Sequence, residues 1–116
     1  MVVYHTYMSD LIQKKCIPCE AGMSPLEKSR IAALRKEIPD WEVLGGKKIA
    51  REFKHRDFKE AMAFVNEVAD IAELEGHHPD ILLHGWNKVR IELSTHATGG
   101  LSENDFIEAA KIDALL

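Results

Sequence analysis

At 116 residues the chain is long enough for one modest hydrophobic core and too short for two, and 46% apolar with 29% charged residues excludes disordered, collagenous and fibrous classes. Fifteen Lys and Arg against nineteen Asp and Glu leave a net charge of −4, which lacks the basic footprint of a nucleic-acid binder. No apolar run approaches the roughly 20 residues that span a bilayer, and no basic stretch followed by an apolar run opens the chain, so a cytoplasmic protein with neither nucleic acid nor membrane as partner is expected.

Residues 1–23 read as a partly ordered lead-in to a single domain over residues 24–116, and the first fifteen or so receive no fold weight. Within the lead-in, Cys16 and Cys19 have the Cys-x-x-Cys spacing of half a zinc site or of a redox pair. The second Cys pair of a zinc site is missing, and no strand precedes the motif as a thioredoxin-like pair requires, so reduced thiols in a polar segment are the favoured reading. Ser24-Pro25-Leu26-Glu27 has the form of a capping box with Pro at the first helical position, which predicts a helix from Pro25 to about Glu37 burying Leu26, Ile31, Leu34 and Ile38. Pro39-Asp40 stops it. Trp41 to Leu44 and Lys47 to Lys54 are strand-like, and Gly45-Gly46 between them supplies the positive φ of a two-residue hairpin turn. Asp57 with Glu60 caps a longer helix through Glu75, whose expected buried stripe is Phe58, Met62, Val65, Ala69 and Ala72, flanked by Ala61, Val68 and Ile71. Gly76 suits the left-handed residue that ends it.

After the Gly76-His77-His78-Pro79 corner, Asp80 to His84 reads as a strand, and Gly85-Trp86-Asn87 turns the chain into Lys88 to Thr95. In that last strand Val89, Ile91, Leu93 and Thr95 alternate with Lys88, Arg90, Glu92 and Ser94, so one face is apolar and the other polar. Ser102 and Asp105 open a C-terminal helix carrying Phe106, Ile107, Ala110, Ile112 and Leu115. Two hairpins with one apolar face and three helices predict an α+β two-layer sandwich: a four-stranded antiparallel sheet covered by helices on one face.

Four of the six histidines, His77, His78, His84 and His96, fall within twenty residues. Antiparallel pairing through the Gly85 to Asn87 turn sets the start of one strand beside the end of the other, which brings His96 near His77 and His78. Three readings compete for that corner. A hydrogen-bonded structural cluster is the better reading for any single histidine. A three-histidine metal site is the weakest, because adjacent His77 and His78 tend to project to opposite sides and no supporting shell is legible. An acid/base pocket needs no metal, uses rings whose ordinary pKa lies near neutrality, and agrees with the nearby carboxylates Glu73, Asp80 and Asp105; the residues favour it slightly.

The same residues carry a resemblance. Glu73-x-x-x-His77-His78-Pro79, followed after six residues by Trp86, after nine more by His96 and after eight more by Asp105, is similar to the pattern of the pterin-4a-carbinolamine dehydratase family. Leu93-Ser94-Thr95-His96 and Gly100-Leu101-Ser102-Glu103 are further phrases typical of it, and a looser likeness runs from about Ser24 to Leu116, Trp41 included. The family's fold, a four-stranded antiparallel sheet with helices on one side, agrees with the predicted order of elements.

The resemblance implies a hydro-lyase that dehydrates a 4a-hydroxytetrahydropterin, the product of an aromatic amino-acid hydroxylase, to the quinonoid dihydropterin in tetrahydrobiopterin recycling, with the pterin as substrate and no cofactor or metal. By position, His77, His78 and His96 match the family's active-site histidines: His77 and His96 the acid/base pair, His78 mainly a holder of the pterin. Pro79 and Thr95, with the backbone at Ala97 and Thr98, match its binding segments, and Glu73 and Asp105 are supporting residues. His5, His55 and His84 lie outside the motif. The resemblance also implies a homodimer or homotetramer, consistent with two open sheet edges and an uncovered sheet face. The competing class is an interaction module whose histidines are idle, as in animal members that serve a homeodomain transcription factor as dimerisation cofactor.

Overall fold

The computed structural model describes residues 10–18 and 23–116 of the chain, so Cys19 and His5 lie outside the described residues. Its elements run α1 (Lys28–Arg35), β1 (Glu42–Leu44), β2 (Lys48–Lys54), α2 (Phe58–Glu75), β3 (Asp80–His84), β4 (Lys88–Leu93) and α3 (Glu103–Asp113), with short 3-10 turns at Asp10–Gln13 and His96–Thr98. The four strands form one antiparallel sheet in the order β1-β2-β4-β3, the expected two-layer α+β sandwich. Both hairpins form, but the first closes through three residues, Gly45 to Lys47, rather than two, since Leu44 pairs with Lys48; Gly45 and Gly46 take φ of 60° and 69°.

Side-chain alternation decides which sheet face is covered. Ile49 and Phe53 of β2 share a face with Val89, Ile91 and Leu93 of β4, and all five are buried. Arg51 sits among them and is held rather than stranded: its guanidinium lies 4.5 Å over the Phe53 ring and donates to Asp113 of α3 at 2.8 Å, an acceptor shared with the Trp41 indole N–H at 2.9 Å. The opposite face carries an ion ladder, Lys48 to Glu92 to Arg90 to Glu42, beside a His84 to Glu52 contact.

Two helix expectations need correction. α1 starts at Lys28 rather than Pro25, and its N-cap is Glu27, with no side-chain cap from Ser24. The Leu26 N–H donates instead to the Leu101 carbonyl at 2.9 Å, a long-range bond that keeps the Ser24 to Leu26 stretch out of the helix. In α2 the Asp57 cap holds, accepting from the Glu60 amide at 2.8 Å, but the buried stripe is Ala61, Phe64, Val68, Ala72 and Glu75. Phe58 and Met62 stay 53% and 40% exposed. The helix carries apolar residues on two faces, so periodicity alone cannot phase it. Packing decides, and Phe64 stacks on Phe53 with ring centroids 4.8 Å apart.

The lead-in also contributes more than expected. Leu11 is only 1% exposed and joins the core, and the Ile17 N–H and carbonyl bond the Asn104 side chain at 3.0 and 2.6 Å. The Cys16 N–H donates to Glu75 at 2.9 Å, and burial, with the charges of Glu108 and Glu75, pushes the Cys16 thiol up to about 12, which leaves no thiolate for redox chemistry at neutral pH.

Gly76 ends α2 at φ 66°, ψ 29°, and the next amide, that of His77, donates back to the Ala72 carbonyl at 3.2 Å. This Schellman-type stop aims His77 at α3. Gly76→Ala meets no steric neighbour within 4 Å but must hold a left-handed backbone, so we expect a loss of about 1 kcal/mol in urea unfolding; an unchanged midpoint would contradict that.

Candidate active site

The site grows out of three chain ends that the sheet brings together. Asp80 pairs with Glu92, and carrying that ladder back beyond the start of β3 sets His78 level with Ser94 and His77 level with Thr95. A bridge between Thr95 and Gly100 then folds the end of β4 back, and the Ser102–Asp105 capping box opens α3 beside it.

Asp105, fully buried, is the hub. One carboxylate oxygen accepts from His77 Nε2 at 2.6 Å; the other accepts from the Thr95 hydroxyl at 2.8 Å and the Ser102 N–H at 2.9 Å. Thr95 Oγ1 is also 2.7 Å from Ser102 Oγ. An ionised carboxylate only accepts, so the 2.6 Å contact fixes His77 with its proton on Nε2 and leaves Nδ1 to gain or lose the second. The His77 side chain is 12% exposed, and burial works against its charge; the Asp105 hydrogen bond and charge, with the charge of Glu108, outweigh it and raise the ring above its ordinary 6.5.

His78, much more exposed, bonds Glu73 across the end of α2. His96 is exposed at the start of its 3-10 turn and lines a cleft of about 290 Å³ with Lys47, Lys48, Asp80, Ser94, Thr95 and the Gly99-Gly100 pair. Thr95 joins cleft to network, bordering one and bonding into the other. Thr98 closes the turn, its hydroxyl and its N–H both donating to the Thr95 carbonyl, at 3.1 and 3.2 Å, with the half-buried Ala97 between it and His96. Pro79, half-buried, stands at the mouth of β3. The structure thus brings the sequence-predicted His77, Thr95 and Asp105 into one network, with His96 and Asp80 in the adjoining cleft and His78 paired to Glu73. Trp86 is not brought there: it sits at the tip of the β3–β4 hairpin, the far end from His77, with φ 60°.

Two features were missed. Glu75 is buried and held ionised by Lys111 at 2.7 Å despite the desolvation of its carboxyl. Glu108 is 0% exposed, and neither carboxylate oxygen has a hydrogen-bond partner among the described residues. The signal for it was a charged residue inside the otherwise apolar run from Phe106 to Ala110. Among the described residues no group of three or more His, Cys, Asp or Glu side chains is arranged to hold a metal ion, and no helix is long and apolar enough to cross a membrane. A second cavity of about 240 Å³, lined by Lys15, Ile17, Met23 and Asn104 among others, contains none of the histidines.

Comparison with known proteins agrees with this geometry. The sequence profile described as Pterin 4 alpha carbinolamine dehydratase matches residues 24–115. A protein of Nitrosospira multiformis that carries pterin-4-alpha-carbinolamine dehydratase as a provisional name is 51% identical over 110 residues, covering 95% of this chain and 96% of its own. A Rubrobacter xylanophilus protein with the same provisional name is 44% identical, covering 93% of this chain and all of its own. Among solved structures, a transcriptional coactivator/pterin dehydratase from Brucella melitensis superposes with a TM-score of 0.74 at 31% identity, covering 79% of this chain and 98% of that one. A pterin dehydratase-like RuBisCO assembly factor of the alpha-carboxysome superposes at 0.57 with 27% identity, covering 66% and 88%. With the profile spanning almost all of the chain beyond its lead-in, the chain belongs to the pterin-4-alpha-carbinolamine dehydratase family, a family of hydro-lyases.

Proposed function

We propose that the protein dehydrates a 4a-hydroxytetrahydropterin to the quinonoid dihydropterin by histidine acid/base catalysis, recycling the reduced pterin that an aromatic amino-acid hydroxylase has oxidised. The bond between C4a and the hydroxyl oxygen breaks, a proton joins the departing oxygen, the proton on N5 is taken up, and a C4a–N5 double bond forms. Such a reaction needs one acid and one base and no change of oxidation state. His77, whose imidazolium is stabilised by Asp105, gives the proton to the hydroxyl, and His96 in the cleft takes the one from N5. His78, with Pro79, Thr95 and the backbone at Ala97 and Thr98, holds the pterin, while Glu73 and Asp105 orient His78 and His77. The observation that carries this reading is the bond of the half-buried His77 to the fully buried Asp105, joined through Thr95 to the cleft that His96 lines. The reading includes a cytoplasmic location and no cofactor or metal.

Ring resonances of the labelled histidines test it. Titration with a 7,8-dihydropterin should shift His77, His78 and His96 and leave His84 in place, and a titration that moves none of the three would count against the reading.

The protein is proposed to act as a homodimer or homotetramer. Phe58 and Met62 expose an apolar stripe on α2, and β3, an open sheet edge, carries the exposed Leu82. Sedimentation equilibrium at micromolar concentration should show a dimer or tetramer; a monomer alone would contradict the assignment.

A further inference from the structure

Glu108 occupies α3 one turn beyond Asp105, between Ile107 and Ala109, where an aliphatic side chain would fill the same space. A buried carboxyl with neither oxygen bonded is unfavourable and unusual, and calls for a role. Its surroundings are charged from every side. The end of α2 presents Glu75, which Lys111 neutralises at 2.7 Å and Lys15 approaches; the loop beyond presents His77 and His78; α3 itself presents Asp105; the lead-in presents the neutral Cys16 thiol. Of these, His77 is tied to the same side of α3, because Asp105, one turn before Glu108, bonds its ring at 2.6 Å while the Glu108 oxygens make no hydrogen bond among the described residues.

We propose that Glu108 is a positioning residue that acts through His77, governing from behind the ring how firmly the imidazole keeps its second proton. The influence is mutual. Burial pushes the Glu108 carboxyl up to about 7, His77 and His78 pull it down, and Glu75 and Asp105 push it up again; the Glu108 charge in turn raises His77. Near neutrality, therefore, a charged His77 favours a charged Glu108, and a His77 that has given up its proton leaves Glu108 free to take one, so the corner changes its net charge less than His77 alone would. The consequence for catalysis rests on the dehydratase reading above, with His77 as the acid.

The sign of the effect is fixed. Removing the Glu108 charge removes one of the influences that raise His77, so in Glu108→Gln the His77 ring should titrate at lower pH while His84 titrates unchanged, both read from histidine ring resonances. In the turnover profile the alkaline limb should move to lower pH, because less His77 stays protonated there. A purely structural carboxyl would do neither. Stability supplies an independent arm. A carboxyl raised on folding costs nothing below its unfolded value of 4.5 and increasingly destabilises as pH rises through 7, so Glu108→Leu should raise the thermal midpoint, by several degrees at pH 8 and less at pH 5. The leucine variant also carries the titration test should the glutamine variant not fold. A folded variant whose His77 midpoint is unmoved or rises overturns the proposal even if the wild type dehydrates pterin. A downward shift in a protein without turnover upholds the coupling and overturns the dehydratase reading.

Discussion

Changing both His77 and His96 to Ala should lower the maximal dehydration rate by about 10²- to 10⁴-fold, the range a positioned acid or base contributes, in a protein that still folds. Each single change should lower it less, because the remaining ring still meets the pterin from its own side. The two rings are held differently: His77 half-buried on Asp105, His96 exposed in the cleft. His77→Ala should therefore flatten the alkaline limb of the pH profile as well as reduce the rate, and His96→Ala should reduce the rate while leaving that alkaline limb in place. His78→Ala, which removes an exposed ring bonded to Glu73, should chiefly raise the Michaelis constant, and His84→Ala, remote on the outer sheet face with Glu52, should change neither. Far-ultraviolet circular dichroism checks that each variant is folded; a folded double variant with wild-type turnover would refute the histidine mechanism.

The largest effect on stability is expected at Asp105. Its carboxylate accepts from the His77 ring, the Thr95 hydroxyl and the Ser102 amide from a fully buried position. Asp105→Ala leaves the His77 ring, which can carry charge, and the Ser102 amide without an acceptor, leaves the Thr95 hydroxyl only Ser102 Oγ, and uncaps α3; a loss of about 3–5 kcal/mol in urea unfolding follows. Asp105→Asn keeps the shape and one acceptor and should lose less, while removing the charge that raises His77. A His pKa raised on folding stabilises fully below the unfolded value of 6.5 and loses that contribution as pH rises past the folded value. The deficit of Asp105→Asn relative to wild type should accordingly be greatest at acid pH and narrow above neutrality; a deficit independent of pH would show that His77 is not charged in the fold.

Local signals were the legible ones. Asp57 and Gly76 bound α2 through contacts a few residues long, and the Ser102–Asp105 box starts α3 the same way, so the sequence announces them directly. The alternation in β4 likewise revealed which sheet face is covered. What escaped depends on distant partners. The Leu26 to Leu101 bond removes the first turn expected for α1, and nothing near Ser24 announces it. α2 carries apolar side chains on two faces, and only the Phe53–Phe64 stack selects the inner one. Leu11 reaches the core from a lead-in in which no helical or strand periodicity marks it. At the site, the spacing from Glu73 to Asp105 placed the histidine corner, since hairpin pairing turns sequence separation into proximity. Asp105 was legible both as helix cap and as a supporting carboxylate, whereas the Thr95 hydroxyl that ties it to the cleft is visible only in three dimensions. Glu108 was hidden for the opposite reason: a glutamate in an amphipathic helix is ordinarily on the solvent side.

The central claim, that this corner expels water from a 4a-hydroxytetrahydropterin, is tested most directly by stopped-flow absorbance of the freshly generated carbinolamine with and without the purified protein. The account predicts decay to the quinonoid dihydropterin that is faster than the spontaneous rate, first order in protein, saturable in substrate and unaffected by a chelator. Decay at the spontaneous rate in the presence of folded protein would contradict it and leave the interaction-module reading in its place.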